Sequence, residues 1–275
     1  YGEYTDLVEP YGCDEAWLDV TDSAILKGDG RKIAEEISWR VKKELGITVS
    51  IGISWNKIFA KLGSDYKKPD GITAFSKGNY KELLWRLPAA DLLYVGRSTR
   101  KTLDRYGIKT IGELALSDPE FLERLFGKMG LVLYSFANGW DDSPVSSQGY
   151  EAPMKSIGNS TTTPRDLVNN LDVQIVLMTL SESVAARLRK HGFKCKVVSI
   201  TIRDSGLFSF SRQKKLECPT DITNEIMAAA NALFIEHYNW QHPIRSLGIR
   251  AEKLVLADIP VPVSYTHLTL PTNSR

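Results

Sequence analysis

The sequence predicts an α+β protein in which two mixed regions are separated by an all-helical one. Residues 14–75 combine strand-like alternation with segments that repeat apolar residues every four positions, which are the periods of strands and helices. From Leu84 to Val145 the strand pattern gives way to short helical segments punctuated by glycine. Beyond residue 154, two helical patterns flank a pair of alternating strands. This order indicates helices packed on sheets at both ends of the chain.

The first mixed region is predicted to run β-α-β-α-β. Residues 14–20 alternate in character, so they predict a strand with Asp14 and Glu15 on opposite faces. Residues 31–45 carry apolar side chains at successive i+4 positions and are followed by Gly46, which predicts an amphipathic helix and its end. The remaining predicted elements are a strand over 47–53, a helix over 56–68 capped by Asn56, and a strand over 72–75.

The rest of the chain divides by composition. Asp141–Ala152 is polar and contains Pro, Gly and Ser, which is typical of a linker. The final "SYTHLTLPTNSR" changes character abruptly, and we interpret residues 258–275 as a non-native tail. The second mixed region is predicted to contain a helix over 171–191, strands over 196–204 and 207–216 around the turn Asp204-Ser205-Gly206, a helix over 222–238 and a strand over 244–256.

Composition excludes several classes of protein. No apolar run approaches about 18 residues, so no transmembrane helix is predicted. The chain begins without a basic and apolar leader, so no signal peptide is predicted. Cys13, Cys195 and Cys218 are far apart in the sequence and form no C-x-x-C pair. This spacing argues against a disulfide framework or a structural zinc site and favours a reducing cytoplasm.

The net charge of +2 conceals two poles. Tyr1–Leu26 contains acidic residues and no lysine or arginine. Between Arg187 and Lys215, many basic residues are accompanied by a single acid, Asp204. An acidic pole suits cations and a basic pole suits phosphates. The sequence therefore predicts a divalent metal at one site and a polyanion at another.

Asp14 and Glu15 are adjacent carboxylates among apolar residues, with no lysine or arginine close to them in the sequence. One interpretation is a solvated edge strand or a helix cap. The other is a magnesium site, because Mg²⁺ is usually held by one or two carboxylates together with substrate phosphates. The pair alone leaves both interpretations open.

Helical spacing places four polar side chains near one face of the segment 56–68: Lys57, Lys61, Ser64 and Lys68. Such lysines usually form a solvated face. The functional alternative is a cation cluster for a triphosphate, with Lys68, at the end of the helix, as the preferred contact.

The stretches "YGCDEAWLDVT" and "VSIGISWNKIFAKLGSDYKKPDGIT" resemble the palm of the Y-family translesion DNA polymerases. The resemblance implies that Asp14 is a metal ligand and Glu15 a catalytic carboxylate. It also implies that Lys68 contacts the phosphates of the incoming nucleotide, with Asp65 close to the same site. Two departures, Tyr11-Gly12-Cys13 in place of the usual Ser-Ile and Trp17 in place of Tyr or Phe, leave both carboxylates present.

The resemblance extends to DNA contacts. "LLYVGRSTRKTLDRYGIKTIGELA" is similar to the helix-hairpin-helix of the family's thumb, in which backbone N–H groups meet DNA phosphates. Here Tyr94 replaces one of the two usual glycines. "KSIGNSTTTPRDL" is similar to the start of the family's little-finger domain. The implied DNA-binding residues are Gly96, Lys155, Ser156, Lys194, Lys196, Arg212, Lys214, Arg245 and Arg250.

The resemblance implies a domain order and an incomplete site. Family members begin with a strand bearing another metal-binding Asp, so we expect one ligand for the two Mg²⁺ ions to be missing upstream and the chain to be inactive alone. The clamp-binding peptide of the family is not visible, although a sliding clamp remains a candidate partner. The predicted domains are a partial palm (1–82), a thumb (83–145), a linker (146–153) and a little finger (154–257).

The function implied is DNA-directed DNA synthesis in translesion bypass and repair, with primer–template DNA and dNTPs as partners. A rival is a non-catalytic DNA-binding protein, which would show salt-steep DNA binding and no metal-dependent chemistry. A nucleotidyl cyclase also pairs carboxylates on a sheet, but it needs no DNA grip, and the basic residues 187–215 argue against it.

Overall fold

The computed structural model describes residues 1–257, which form two compact units, Tyr1–Glu151 and a second unit beginning at Ala152. The predicted non-native tail, residues 258–275, lies outside the described residues. Within the described residues, no helix is both long and apolar enough to span a lipid bilayer.

The first unit opens with a β-hairpin and continues as helices around a short parallel strand pair. Its elements are β1 (Val8–Tyr11), β2 (Glu15–Leu18), α1 (Ala24–Lys27), α2 (Gly30–Arg40) with a π-helical turn at Val41–Leu45, β3 (Ile51–Ile53), α3 (Lys57–Tyr66), β4 (Ile72–Ala74), α4 (Tyr80–Leu84), a 3₁₀ turn at Ala89–Asp91, α5 (Arg97–Arg105), α6 (Ile111–Ala115), α7 (Pro119–Phe126) and α8 (Lys128–Ala137). The predicted β-α-β-α-β order and the helical region after it are both present.

The hairpin differs from the sequence prediction in two respects. β1 was not predicted, because Pro10 lacks an N–H and interrupts the strand pattern; a strand of a two-stranded sheet tolerates it. The predicted strand 14–20 is confined to Glu15–Leu18, so Asp14 lies in the turn before the strand rather than on its opposite face. The two carboxylates therefore sit at a hairpin end.

Close backbone packing holds α3 against β3. An ideal Cβ placed on Gly52 would lie 1.8 Å from the carbonyl oxygen of Ala60, and one placed on Gly63 would lie 3.0 Å from the Cα of Gly52. Two glycines therefore allow the helix and the strand to touch. Asn56 begins the helix as predicted, since its side chain accepts a hydrogen bond from the Phe59 N–H at 2.9 Å.

One apolar core joins α3 to the helical region. Phe59 is fully buried and belongs to the same cluster as Leu84, Leu103 and Ile111. This shared core explains why α3 and the helical region after it belong to the same compact unit. The division into palm and thumb at residue 82 stays a prediction.

The second unit is a four-stranded antiparallel sheet with two helices. Its elements are β5 (Ser156–Leu167), α9 (Asn170–Lys190), β6 (Phe193–Asp204), β7 (Ser209–Thr220), α10 (Thr223–His237) and β8 (Ile244–Leu256). The strand order is β5-β8-β6-β7. The predicted helices, hairpin and last strand are confirmed, whereas β5 was missed because Gly, Asn, Ser, Thr and Pro dominate it.

The two faces of this sheet differ in character. One face packs against α9 and α10 through residues such as Val198, Ile200 and Ile249. The register defines rows across the other face, of which one runs through Ser160, Gly248, Thr201 and Ser211 and the next through Gly158, Arg250, Ser199 and Gln213. We call this surface the helix-free face. Many of its side chains are small and polar, and exposed cations such as Arg250 lie among them.

Candidate functional site

The end of the β1–β2 hairpin carries the predicted carboxylate pair. Asp14 is exposed in the turn, where the Cys13 Sγ lies 3.7 Å from its Oδ1 as a weak donor. Glu15 begins β2, pairs with Tyr11 across the hairpin and is partly buried. The hairpin thus offers one open carboxylate beside one that contacts the protein.

Lys61 connects Glu15 to the other predicted site residues. Its Nζ lies 3.2 Å from Glu15 Oε1 and 2.6 Å from Asp65 Oδ2, and Asp65 Oδ1 lies 2.6 Å from Lys68 Nζ. Lys61 and Asp65 are one helical turn apart on α3, so the helix itself aligns them. We refer to Glu15, Lys61, Asp65 and Lys68 as the ion-pair row. It brings together three of the predicted site residues, Glu15, Asp65 and Lys68.

The ion-pair row corrects one sequence-based expectation. The sequence places no lysine or arginine near the two carboxylates, yet in the folded chain α3 supplies Lys61 to Glu15. Burial lowers the pKa of Lys61, but its hydrogen bonds to Asp65 and Glu15 outweigh burial and the net pKa is raised. Burial likewise raises the pKa of Asp65, while hydrogen bonds from Lys61 and Lys68 hold it below its usual value. Lys61 and Asp65 are therefore both charged near neutral pH.

A second ion pair anchors the hairpin to α3. Lys57 Nζ lies 2.6 Å from Glu9 Oε2, which also accepts the Ser146 N–H at 2.8 Å. The Trp17 indole donates to the Lys57 carbonyl at 3.0 Å. Burial raises the pKa of Glu9, but the hydrogen bonds from Lys57 and Ser146 hold it below its usual value. Trp17 thereby gains a structural role that the sequence did not reveal.

The four polar side chains predicted to share one face of α3 therefore differ in how far they are engaged within the protein. Lys57 is engaged with Glu9, and the Ser64 hydroxyl donates to the Lys61 carbonyl at 2.7 Å. Half of the Lys68 side chain is exposed, whereas Lys61 is 18% exposed. Lys68 is thus the member of this face best placed to meet a soluble anion.

Removal of the Lys61 charge tests this electrostatic arrangement. The pKa of Asp65 is lowered in the folded protein, so its ionised form stabilises the fold above about pH 3.8, and that contribution is lost as the pH falls through the folded-state pKa. In Lys61→Met, one of the two lysines is gone and burial continues to raise the pKa. We expect the acid loss of stability to begin at higher pH, as measured by thermal melts across an acidic pH series. Lys77→Met, at an exposed position after β4, is the control; the same shift in both variants would contradict the assignment.

The donor set suits part of a hard-cation site. Asp14 and Glu15 supply carboxylate oxygens, the ligands that Mg²⁺ prefers. Within residues 1–257, no group of three His, Cys, Asp or Glu side chains is arranged to hold a metal. Any cation bound here would complete its coordination with water or with phosphate oxygens from a substrate.

Most of the predicted DNA-binding residues lie in the second unit, on different surfaces. Arg250 lies on the helix-free face, opposite Ser199. Arg212 and Lys214 are exposed on edge strand β7 at positions paired with Ile200 and Val198. The other predicted residues are Lys155 and Ser156 at the start of β5, Lys194 and Lys196 at the start of β6, Arg245, which lies 3.5 Å from Asp166, and, in the first unit, Gly96 at the N-cap of α5.

Two cations of the helix-free face were missed as site residues. Arg203 pairs with Ser209 and Ser246, and Lys215 pairs with Val197, so both share a side with Arg250. Both are exposed. Strict alternation along β6 and β7 was the sequence signal that separates them from the residues facing the helices.

Comparisons with known proteins cover both units. Residues 1–65 match the model of the impB/mucB/samB family, and residues 154–267 match the model of its C-terminal domain. A DNA polymerase IV from Acetivibrio thermocellus is 52% identical over 264 residues, which are 96% of this chain and 66% of the relative. A DNA polymerase IV from Moorella thermoacetica is 35% identical over 94% of this chain and 64% of its own length.

The chain belongs to the Y family of DNA polymerases.

A solved structure agrees with this Y-family membership at the level of the fold. A Y-family DNA polymerase chimera, Dbh-Dpo4(243-245)-Dbh, superposes with a TM-score of 0.76 at 21% identity, covering 93% of this chain and 73% of the chimera. The curated relatives and the two family models confirm the resemblance that the two motifs predicted. The chain spans slightly less than two thirds of the length of the curated relatives described above. The first family match ends at Asp65 and so contains three members of the ion-pair row.

Proposed function

We propose that this Y-family chain provides the catalytic carboxylates and the DNA-binding surface of a DNA-directed DNA polymerase that acts in translesion synthesis and DNA repair. The observation that carries the proposal is the ion-pair row, which joins Glu15 on the hairpin to Lys68 beyond α3. A polymerase needs carboxylates beside a phosphate-binding cation, and the row supports that combination. The substrates proposed are a primer–template duplex and a dNTP.

Each residue of the site has a proposed role. Asp14 and Glu15 would hold divalent metal, for which we propose two Mg²⁺ ions; when bound, these supply a lowered pKa for the primer 3′-hydroxyl and charge neutralisation at the leaving pyrophosphate. Lys68 would bind the nucleotide phosphates, because it is half exposed and cationic. Lys61 orients Glu15 and Asp65, and Asp65 in turn restrains Lys68. The site acts in the cytoplasm.

The second unit would supply sequence-independent affinity for DNA. Its helix-free face presents three cations, Arg203, Lys215 and Arg250, together with one acidic residue, Glu252, among serine, threonine and glycine residues. Small hydroxyl side chains and arginines are common phosphate contacts, and they carry no sequence preference. Lys155, Lys194, Lys196 and Arg245 would extend this contact, together with Ser156. Arg212 and Lys214 lie on the other side of edge strand β7, at positions paired with Ile200 and Val198, and would add cations at the edge of the sheet. Gly96 at the N-cap of α5 would offer a backbone contact from the first unit.

Primer extension tests the proposed function. The protein expressed from its intact gene is incubated with Mg²⁺, dNTPs and primer–template DNA that is either undamaged or carries an abasic site, beside the 275-residue chain. Extension by the intact gene product on both templates supports translesion synthesis. DNA binding without extension on either template would favour the non-catalytic DNA-binding protein instead.

Arg250→Gln tests the helix-free face. Loss of one phosphate contact is expected to weaken duplex binding equally for unrelated sequences and to reduce the salt slope of log K by about one. Fluorescence anisotropy across a salt series measures both quantities. Lys190→Gln, an exposed cation at the end of α9, is the matched control. An unchanged slope in Arg250→Gln would remove this residue from the proposed interface.

A further inference from the structure

The β6–β7 hairpin ends in two large apolar side chains that project from the sheet. Leu207 is 60% exposed and Phe208 is 68% exposed. Scattered apolar residues are ordinary on protein surfaces, so exposure alone carries little weight. Two further features of this hairpin tip, its rigidity and its ring arrangement, indicate a binding role.

Hydrogen bonds hold the hairpin tip in one conformation. The Asp204 carboxylate accepts the Phe208 N–H at 3.0 Å, and the Asp204 N–H donates to the Phe208 carbonyl at 3.0 Å. The Ser205 N–H donates to the Pro243 carbonyl at 2.8 Å. Asp204 itself is buried. Phe208 is therefore presented on a fixed support, so little conformational entropy is lost when a ligand contacts it.

Phe208 ends a ladder of aromatic rings. Its centroid lies 6.3 Å from that of Phe210 at an interplanar angle of 33°, and Phe210 lies 6.4 Å from Tyr238 at 14°. Tyr238 in turn lies 5.7 Å from Phe234 at 26°, and Phe234 is fully enclosed in the core. The ladder thus runs from the core to solvent, where it stops at the most exposed ring.

Cations continue from the ladder along the same strand. The Arg212 guanidinium lies 5.1 Å from the Phe210 ring centroid. Residues at alternate positions of β7 share a side, so Phe210, Arg212 and Lys214 form one line, and the Phe208 ring lies beside Phe210 at the start of that line. The segment from Ser205 to Leu216 contains no acidic residue. A polyanion could therefore follow the strand while a planar group rests on Phe208.

We propose that the β6–β7 hairpin tip is a stacking site for an unpaired nucleobase of single-stranded DNA, with Arg212 and Lys214 binding the adjoining phosphates. Aromatic platforms beside cations are how proteins bind single strands without sequence preference. An apolar protein partner would use Leu207 and Phe208 alike and would gain nothing from the cations, so the charge pattern favours nucleic acid. The proposal rests on the proposed function in taking DNA as the polyanion. It adds a preference for unpaired bases at a defined ring.

Binding of the 275-residue chain to three labelled ligands tests the proposal: a short oligothymidylate, an abasic oligomer of the same length and a duplex. Phe208→Ala is expected to weaken oligothymidylate binding roughly 5- to 150-fold, the range for one stacked base. Phe208→Tyr keeps a ring and should retain affinity. Leu207→Ala is the matched control, because it truncates the equally exposed neighbour outside the ladder. Thermal melts verify that each variant is folded.

The abasic oligomer isolates the stacking contact. The wild-type chain should lose affinity for it to the level that Phe208→Ala shows for oligothymidylate, and Phe208→Ala should bind both oligomers equally. Equal weakening of single-stranded and duplex binding by Phe208→Ala, an equal loss in Leu207→Ala, or no loss would overturn the proposal. The proposed function would stand in each of these cases, because the chain would still bind duplex DNA. Absence of binding to every DNA at low salt would instead overturn both.

Discussion

Replacing Glu15 with alanine is expected to reduce nucleotide addition by the intact gene product by a factor of about 10²–10³ or more, the cost of removing one group that stabilises transition-state charge. Primer–template affinity should stay unchanged. The physical reason is that Glu15 lies on the hairpin of the first unit, whereas most of the proposed DNA contacts lie in the second. The rate of single-nucleotide addition and the dissociation constant for DNA, measured on the same preparation, separate the two effects.

The structure also indicates why this substitution should leave the fold intact. Without Glu15, Lys61 keeps its 2.6 Å ion pair with Asp65, so no buried charge is left unpaired. Glu35→Ala, on the exposed side of α2, is the matched control and should leave both measurements unaltered. An equal loss of nucleotide addition and DNA binding in Glu15→Ala would contradict the assigned catalytic role.

Gly52→Ala is expected to cause a large loss of stability. The added methyl group would lie 1.8 Å from the Ala60 carbonyl oxygen and 2.5 Å from the Ser64 backbone nitrogen. Both atoms belong to the backbone of α3, so no rotamer change relieves the clash, and the helix must move away from β3. We expect the free energy of unfolding to fall by about 3 kcal/mol or more, at the upper end of the cost of overpacking.

Denaturant unfolding of the two glycine variants measures this effect. Gly78→Ala serves as the control, because the nearest atom to its Cβ is the Ser76 Oγ at 3.8 Å. The displaced helix carries Lys61 and Asp65, so Gly52→Ala should also impair nucleotide addition by the intact gene product. Unfolding midpoints that coincide for the two variants would show that α3 does not press on β3 as closely as described.

Local signals in the sequence were sufficient for most of the architecture. Asn56 caps α3, and the β-branched alternation of β6 and β8 defines two strands of the second sheet. These elements follow from periods and caps that act over a few residues. β5 was not predicted, because its pairing with β8, rather than its own composition, makes it a strand.

The candidate site shows the same contrast between local sequence signals and tertiary contacts. The sequence by itself determined the family, and it was enough to propose the carboxylates Asp14 and Glu15 and the cations Lys61 and Lys68, since motifs report residue types and their spacing. Only the tertiary structure decided that Lys61 joins Glu15 to Asp65, that Lys57 is committed to Glu9, and that Phe208 ends a ring ladder. The reason is physical: these contacts join residues on different elements, and their distances depend on how α3 packs on the hairpin and how β7 lies beside α10.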